Sequence, residues 1–337
     1  MKCRAQVSFL LSLCLVPTIG NAHDGEGFSD LPETHPAFTA VAYLHSQGVI
    51  HGYDDGTFQA EKKVNRAEAV KLIVAPRVTP EELAAFTETP FTDIPAGSWY
   101  LPYTEAARQT LGFIDGPPKR GKFEGERPVQ HVEFLKMLVI ANTVDPFAFN
   151  EIQLPLASDV RSVDEWYYPY LRFALSSSMT VASTEGLLSP GEELTRGDVA
   201  LILYRFLMYQ EDRRTQALLS ICERELLSTL AHLEGNDIGE AEYSSARALL
   251  AARGAHASRP TDPVTQGALK ITESFRSLVR AYRAGLNEEF EQVIALTGDA
   301  WNFAEQARTM SSEMDAIARK VQESAHGMAE SARRLLP

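Results

Sequence analysis

The chain has 337 residues, 45% of them hydrophobic, and its 45 acidic against 32 basic side chains leave a net charge of −13. That balance excludes nucleic-acid binding by counterion release, and three cysteines are too few for a disulfide framework. The length allows a sizeable core and two domains.

Residues 1–22 read as a secretory signal. Lys2 and Arg4 give a positive start, Val7 to Val16 is mostly apolar, and Gly20-Asn21-Ala22 ends in small residues. The apolar run is too short for a stable membrane anchor, and no later run is long enough to cross a bilayer. Cleavage removes Cys3 and Cys14 and leaves Cys222 alone, expected as a buried helix residue. Residues 23–212 then carry a net −13 and residues 213–337 a net −2. An anion bound by so acidic a segment must be held by local donors against the general field.

Phe38, Val41, Ala42 and Leu44 mark the apolar face of a first helix. Turn chemistry follows in Gly48-Val49-Ile50-His51-Gly52-Tyr53-Asp54-Asp55-Gly56-Thr57-Phe58, where Gly48 and Gly52 suit positive φ. Asn65-Arg66-Ala67-Glu68 starts a second helix, with Asn65 as cap and Glu68 reaching back to it. Arg66 then stands at the first helical position, beside backbone N–H groups expected to be free, an arrangement suited to a small anion. Thr79-Pro80-Glu81-Glu82 starts a short linking helix.

The same landmarks return. Phe28-Ser29-Asp30, Phe91-Thr92-Asp93 and Ser158-Asp159-Val160 open three segments. Helix starts recur at Arg66, His131 and Arg196, 65 residues apart. Trp99-Tyr100-Leu101-Pro102-Tyr103 matches Trp166-Tyr167-Tyr168-Pro169-Tyr170, and both tryptophans are expected in the core, with stacking on a sugar as the lesser reading. A fixed period implies stacked units that cannot bury their apolar faces alone.

On these motifs the chain resembles the S-layer homology (SLH) family, over repeats at 28–75, 91–142 and 157–212. The first repeat is nearest the family pattern. The second carries His131 where the family has Arg, and the third keeps Thr195-Arg196 but reads Ser178-Met179-Thr180 in place of the glycine loop. The resemblance implies an all-α fold, with three helix-loop-helix repeats in a pseudo-threefold bundle and ligand grooves between neighbours. It also implies recognition of a cell-wall polysaccharide or peptidoglycan-linked glycan, commonly a secondary wall polymer bearing a pyruvate ketal, with the motif Arg at the site. Arg66 and Arg196 are the candidate ligands, and Gly52, Asp54 and Asp55 are expected to shape the first groove. His131 leaves the second groove weaker, pH-dependent or unused. Asn65 and Thr195 read as caps.

Phe147 and Phe149, in the link before the third repeat, are expected against the bundle. From Asp198 to Glu234 there is no Gly or Pro, so one unbroken helix is expected to lead into residues 213–337. A helix over 238–253 and a loop at Gly254–Pro263 follow. A four-three apolar series then runs from Phe275 to Leu335, the seam of a coiled coil or of an intramolecular bundle, with Gly285 and Gly298 as possible bends. Residues 262–337 are thus a candidate homo-oligomer surface. No metal-ligand cluster, phosphate loop or nucleophile elbow is present, and Asp54-Asp55-Gly56 is too short for a calcium loop. The expectation is a secreted, cofactor-free, non-catalytic anchor of the cell envelope, in the cell wall, S-layer or periplasm. The alternatives are an envelope protein with non-binding repeats that assembles through its coiled coil, and an SLH-anchored enzyme acting on polysaccharide.

Overall fold

The structure, a computed structural model, describes residues 27–116 and 118–336. The expected signal at residues 1–22 lies outside them. The described residues are all-α, with isolated bridges in place of a sheet. Three helix pairs come first: α1 (Phe38–Ser46) with α2 (Arg66–Val74), α4 (Leu101–Gln109) with α5 (His131–Ala141), and α6 (Tyr168–Ser176) with α7 (Arg196–Gln210). A short α3 (Pro80–Ala84) lies between the first two pairs. Five longer helices complete the chain: α8 (Thr215–Glu234), α9 (Ile238–Ser258), α10 (Pro263–Leu286), α11 (Phe290–Met310) and α12 (Asp315–Leu335).

Local sequence explains the starts of the second helices. Asn65 and Glu68 form a reciprocal capping box on α2, and Thr195 and Asp198 form one on α7. Just before these caps the three approach strands close a ring. The Val64 N–H donates to the Leu194 carbonyl at 3.0 Å, Leu194 to Val129 at 3.0 Å, and Val129 to Val64 at 2.9 Å. Each strand gives and takes one bond with its neighbours, so no approach edge is left open, and the three side chains are buried on the axis.

Each intervening loop is pinned by the aspartate that opens its segment. Asp30 accepts from the Phe58 and Gln59 amides, Asp93 from Phe123 and Glu124, and Asp159 from Leu188 and Ser189. For Asp30 and Asp93 burial works to raise the carboxyl pKa, but these backbone bonds outweigh it and hold both below the usual range. Gln59, Glu124 and Ser189 all adopt positive φ, at 57°, 61° and 48°. The loops therefore share one backbone course although their sequences differ.

Three expectations for the rest of the chain are corrected. The helix from α7 does not continue into α8. Asp212 takes φ 56°, its N–H bonds to Tyr209 at 3.0 Å, and the Arg213 N–H bonds to Met208 at 2.9 Å. This is a Schellman ending with Asp in the place usually held by Gly, which hid it. Gly254 does not open a loop either. It lies inside α9, where an added Cβ would overlap the Ser176 carbonyl oxygen at the end of α6. The apolar series is not one seam: it breaks at Asn287–Glu289, where Glu288 takes φ 63°, and at Ser311–Met314, and the pieces fold back on one another as α10, α11 and α12. Gly298 lies inside α11 and Gly285 in the last turn of α10. In the link before the third segment Phe149 packs on the core, whereas Phe147 is exposed.

The long helices are not a separate body. One apolar core runs from Leu31 through the three pairs into α8, α9 and α10 and on to Val321 and Ala325. Ser176 and Ser178 are fully buried at the junction: Gly254 of α9 lies against the Ser176 carbonyl, and Arg214 Nε, just before α8, donates to the Ser178 hydroxyl at 2.8 Å. Arg247 of α9 crosses into this junction. It pairs with Glu225 at 2.9 Å and donates to the Leu156 carbonyl at 2.8 Å. Cys222 is buried in α8, and burial pushes its thiol up to about 12, which leaves it unreactive.

Candidate functional site

The ring sets which residues meet. The first residue of each capped helix faces the loop of the next segment. Arg66 lies over the Phe123 ring at 5.4 Å, the His131 ring nitrogen Nδ1 sits 3.2 Å from the Leu188 carbonyl, and Arg196 Nε donates to the Phe58 carbonyl at 2.8 Å. Phe58, Phe123 and Leu188 are themselves 65 residues apart.

This changes the expected groupings. Gly52, Asp54 and Asp55 lie in the loop that faces Arg196, not Arg66. Arg196 Nη2 donates to the His51 carbonyl at 2.9 Å, and its guanidinium stacks on Tyr53 and Phe58. Asp55 turns inward on its own loop and accepts from the Thr57 hydroxyl at 2.6 Å and the Thr57 amide at 3.0 Å; those bonds lower its pKa. Asp54 is exposed. Among the glycines of this loop positive φ belongs to Gly48 and Gly56; Gly52 is needed because a Cβ there would overlap the Phe28 ring.

The helix N-termini do not present free amides. The Arg66 and Ala67 N–H groups donate to the Arg127 and Gly125 carbonyls at 2.9 and 3.0 Å. His131 and Val132 donate to Glu192 and Pro190, and Arg196 and Gly197 to Lys62 and Ala60. The donors expected to await an anion instead sew each segment to the next. What remains for recognition is side-chain charge.

There the three positions differ. Arg196 spends two nitrogens on backbone carbonyls and holds the first loop in place. His131 is buried, and burial lowers its pKa against the raising influence of the Ser189 and Leu188 backbone, so the ring is neutral at neutral pH. Arg66 is only 7% exposed, its Nε has no partner, and burial lowers its pKa to about 10, still charged at neutral pH. Its nearest carboxylate is Glu133 at 3.8 Å, but Glu133 is already held by both Arg127 nitrogens, at 2.5 and 2.8 Å. One carboxylate shared between two guanidinium groups leaves a surplus positive charge at low dielectric.

Arg66 opens on a groove of about 480 Å³ lined by all three segments: Arg66 from the first, Lys119, Arg120 and Lys136 from the second, and Trp166 from the third. Four cations face two acids there, Asp115 and Glu133, in a region whose net charge is −13. Trp166 is 52% exposed, with the Lys136 ammonium 5.5 Å from its ring. Trp99 repeats the arrangement at 50% exposure, with Lys71 at 5.6 Å. Both tryptophans were expected in the core; each instead lies against a lysine at the surface, because the buried positions of α4 and α6 go to Leu101 and Tyr168. A signal existed in the sequence, since Lys71 and Lys136 stand 65 residues apart in the same phase as the arginines. Such a groove can take a carboxylate on a sugar, with guanidinium and ammonium donors for the charge and an indole face for the ring.

Among the described residues, no group of three His, Cys, Asp or Glu side chains could hold a metal ion, and no helix is long and apolar enough to cross a membrane.

Comparison with known proteins identifies the first segment. Residues 27–70 match the S-layer homology domain. Cell surface glycoprotein 1 of Acetivibrio thermocellus is 29% identical over 124 residues, 35% of this chain and 5% of that protein. The S-layer protein sap of Bacillus anthracis is 31% identical over 121 residues, 36% of this chain and 14% of that protein. A cellulosome-anchoring protein of Acetivibrio thermocellus is 29% identical over 113 residues, 33% of this chain and 25% of that protein. The chain thus spans a quarter or less of each relative. Within that shared stretch it carries an S-layer homology domain, matched at residues 27–70.

Proposed function

We propose that this secreted cell-envelope protein anchors itself to the wall by holding an acidic cell-wall glycan in the groove at Arg66. Residues 91–142 and 157–212 are read as further copies of the domain matched at 27–70, on the strength of the closed ring and the 65-residue phase. The observation that carries the reading is Arg66 itself: buried, charged, short of a partner, and open to a basic groove in an acidic region. The ligand group that fits is a carboxylate such as a pyruvate ketal on a polysaccharide. Binding is centred on this one groove, because Arg196 is engaged with backbone carbonyls and His131 is neutral. The protein is non-catalytic, and residues 213–337 form the body held at the wall and the part that assembles copies.

The test is retention of the full chain on purified wall sacculi. Arg66→Met removes the charged group that lies over Phe123 and leaves an unbranched apolar side chain of similar length in its place. A charge-assisted bond contributes about 1.5–3 kcal/mol, so affinity falls about tenfold or more. The fold survives, since replacing an underpaired buried charge by an apolar side chain of similar shape is close to neutral. Lys136→Ala weakens retention by a smaller factor. Folded Arg66→Met protein that holds sacculi as firmly as the parent refutes the assignment.

A further inference from the structure

An open apolar groove lies at the far end of the C-terminal helices, where α10 ends, α11 begins and α12 ends. It encloses about 540 Å³ and is lined by Tyr282, Leu286, Phe290, Met328, Ala332 and Leu335, among others. Leu286 and Leu335 stand 57% and 61% exposed; among the large apolar side chains of the described residues Leu335 is the most exposed, and only Phe147 at 58% lies between the two. The four-three apolar series passes through this place. Elsewhere its members Phe275, Val279, Val293, Ala300 and Val321 are buried within the bundle, whereas Leu286 and Leu335 stand more than half exposed.

Charge around the groove divides into two adjoining patches. The turn between α10 and α11 carries Glu288, Glu289 and Glu291, all exposed and none in an ion pair with a described residue. The end of α12 carries Arg333 and Arg334, whose only acidic neighbour within ion-pair distance is Glu330 on their own helix. Acid and base therefore sit side by side, with an apolar trough between. A twofold axis through the trough would set the acidic turn of one copy on the basic helix end of the other. It would also place each Leu286 and Leu335 in the opposite trough. A surface complementary to itself in both charge and shape is what an isologous dimer requires.

We infer that a second copy of this chain docks in this groove, pairing two molecules end to end through α10, α11 and α12. The inference rests on the reading of residues 213–337 as an assembling body and names its surface; glycan retention is a separate readout, so either can fail alone.

The experiment is sedimentation equilibrium of the full chain over a range of concentrations, with circular dichroism to verify folding. The parent is expected to be a dimer at the upper concentrations. Leu286→Asp with Leu335→Asp, both at exposed positions, is expected to weaken association at least about tenfold with unchanged helicity, since an unpaired charge is costly in an apolar trough. Glu288→Arg, Glu289→Arg and Glu291→Arg together are expected to break the dimer by setting like charges against Arg333 and Arg334. Adding Arg333→Glu and Arg334→Glu to that protein is expected to restore it. A parent that stays monomeric throughout overturns the inference, as does a dimer that survives the double aspartate variant. Loss of the dimer in the triple variant without recovery in the charge-reversed one also overturns it, because the charges would then not face one another.

Discussion

Arg66, His131 and Arg196 occupy one position three times and do three different things. The sequence shows the shared position plainly, through its spacing and the caps that follow from it. It does not show that the first amides of each helix are claimed by the neighbouring segment, because those acceptors lie far away in the chain. Nor does it show which guanidinium is engaged. Arg196 has carbonyls within reach of Nε and Nη2, whereas Arg66 finds an aromatic ring and a carboxylate already shared with Arg127. His131 carries a prediction of its own. Its pKa in the folded state lies below the ordinary value near 6.5, so on acidification the unfolded chain takes up the proton first. Stability is therefore unaffected above that value and falls as pH drops below it, with a slope of at most about 1.4 kcal/mol per pH unit for one site. Denaturant titrations between mild acid and neutral pH are expected to show this slope in the parent and a shallower one in His131→Gln. Equal slopes in the two proteins would mean that the ring titrates freely in the folded state.

At the scale of elements, the helix pairs were legible where composition punctuates them. Asn65, Thr79 and Thr195 read as caps in the sequence, and in the structure they close capping boxes with Glu68, Glu82 and Asp198. Helix ends were less legible, because an ending needs only one residue at positive φ and this chain often supplies it without glycine. Asp212, Asn236 and Glu288 each do so, at φ 56°, 59° and 63°. A periodic series read through such a point predicts one long helix, and the chain instead makes two. The Asp212 ending is itself testable. Gly at a left-handed position after a helix avoids the Cβ penalty that Asp carries, and none of the hydrogen bonds to Asp212 described here uses its side chain. Asp212→Gly is expected to stabilise the chain by about 0.5–1 kcal/mol, read as a higher denaturation midpoint with an unchanged slope. A loss of stability would show that the carboxylate contributes more than the backbone angle costs.

For the whole molecule, length and the change from repeated segments to one apolar series suggested two domains, and the charge divides at the same place, −13 over residues 23–212 against −2 over residues 213–337. Charge describes the surface, however, and the core does not follow it. The third segment meets the long helices at several points: Ser176 lies against Gly254 of α9, the Ser178 hydroxyl accepts from Arg214 Nε at 2.8 Å, and Gly186 of the third loop lies beside Glu240 and Arg247 of α9. Gly254 is a point of close approach in the junction: the atom that an added Cβ would meet is the Ser176 backbone oxygen, which cannot turn aside as a side chain could. Arg247 and Glu225 add a buried ion pair at the same junction, and removing one partner of such a pair typically costs about 3–5 kcal/mol. The two parts should therefore unfold together. Calorimetry of the intact chain is expected to show one transition. Gly254→Val is expected to push α9 off α6, lowering the midpoint by several degrees and separating the long helices from the three pairs as two transitions, an overpacking cost of about 1–3 kcal/mol or more. Two transitions already present in the parent would show that the bodies fold independently and that the shared core contributes little to holding them together.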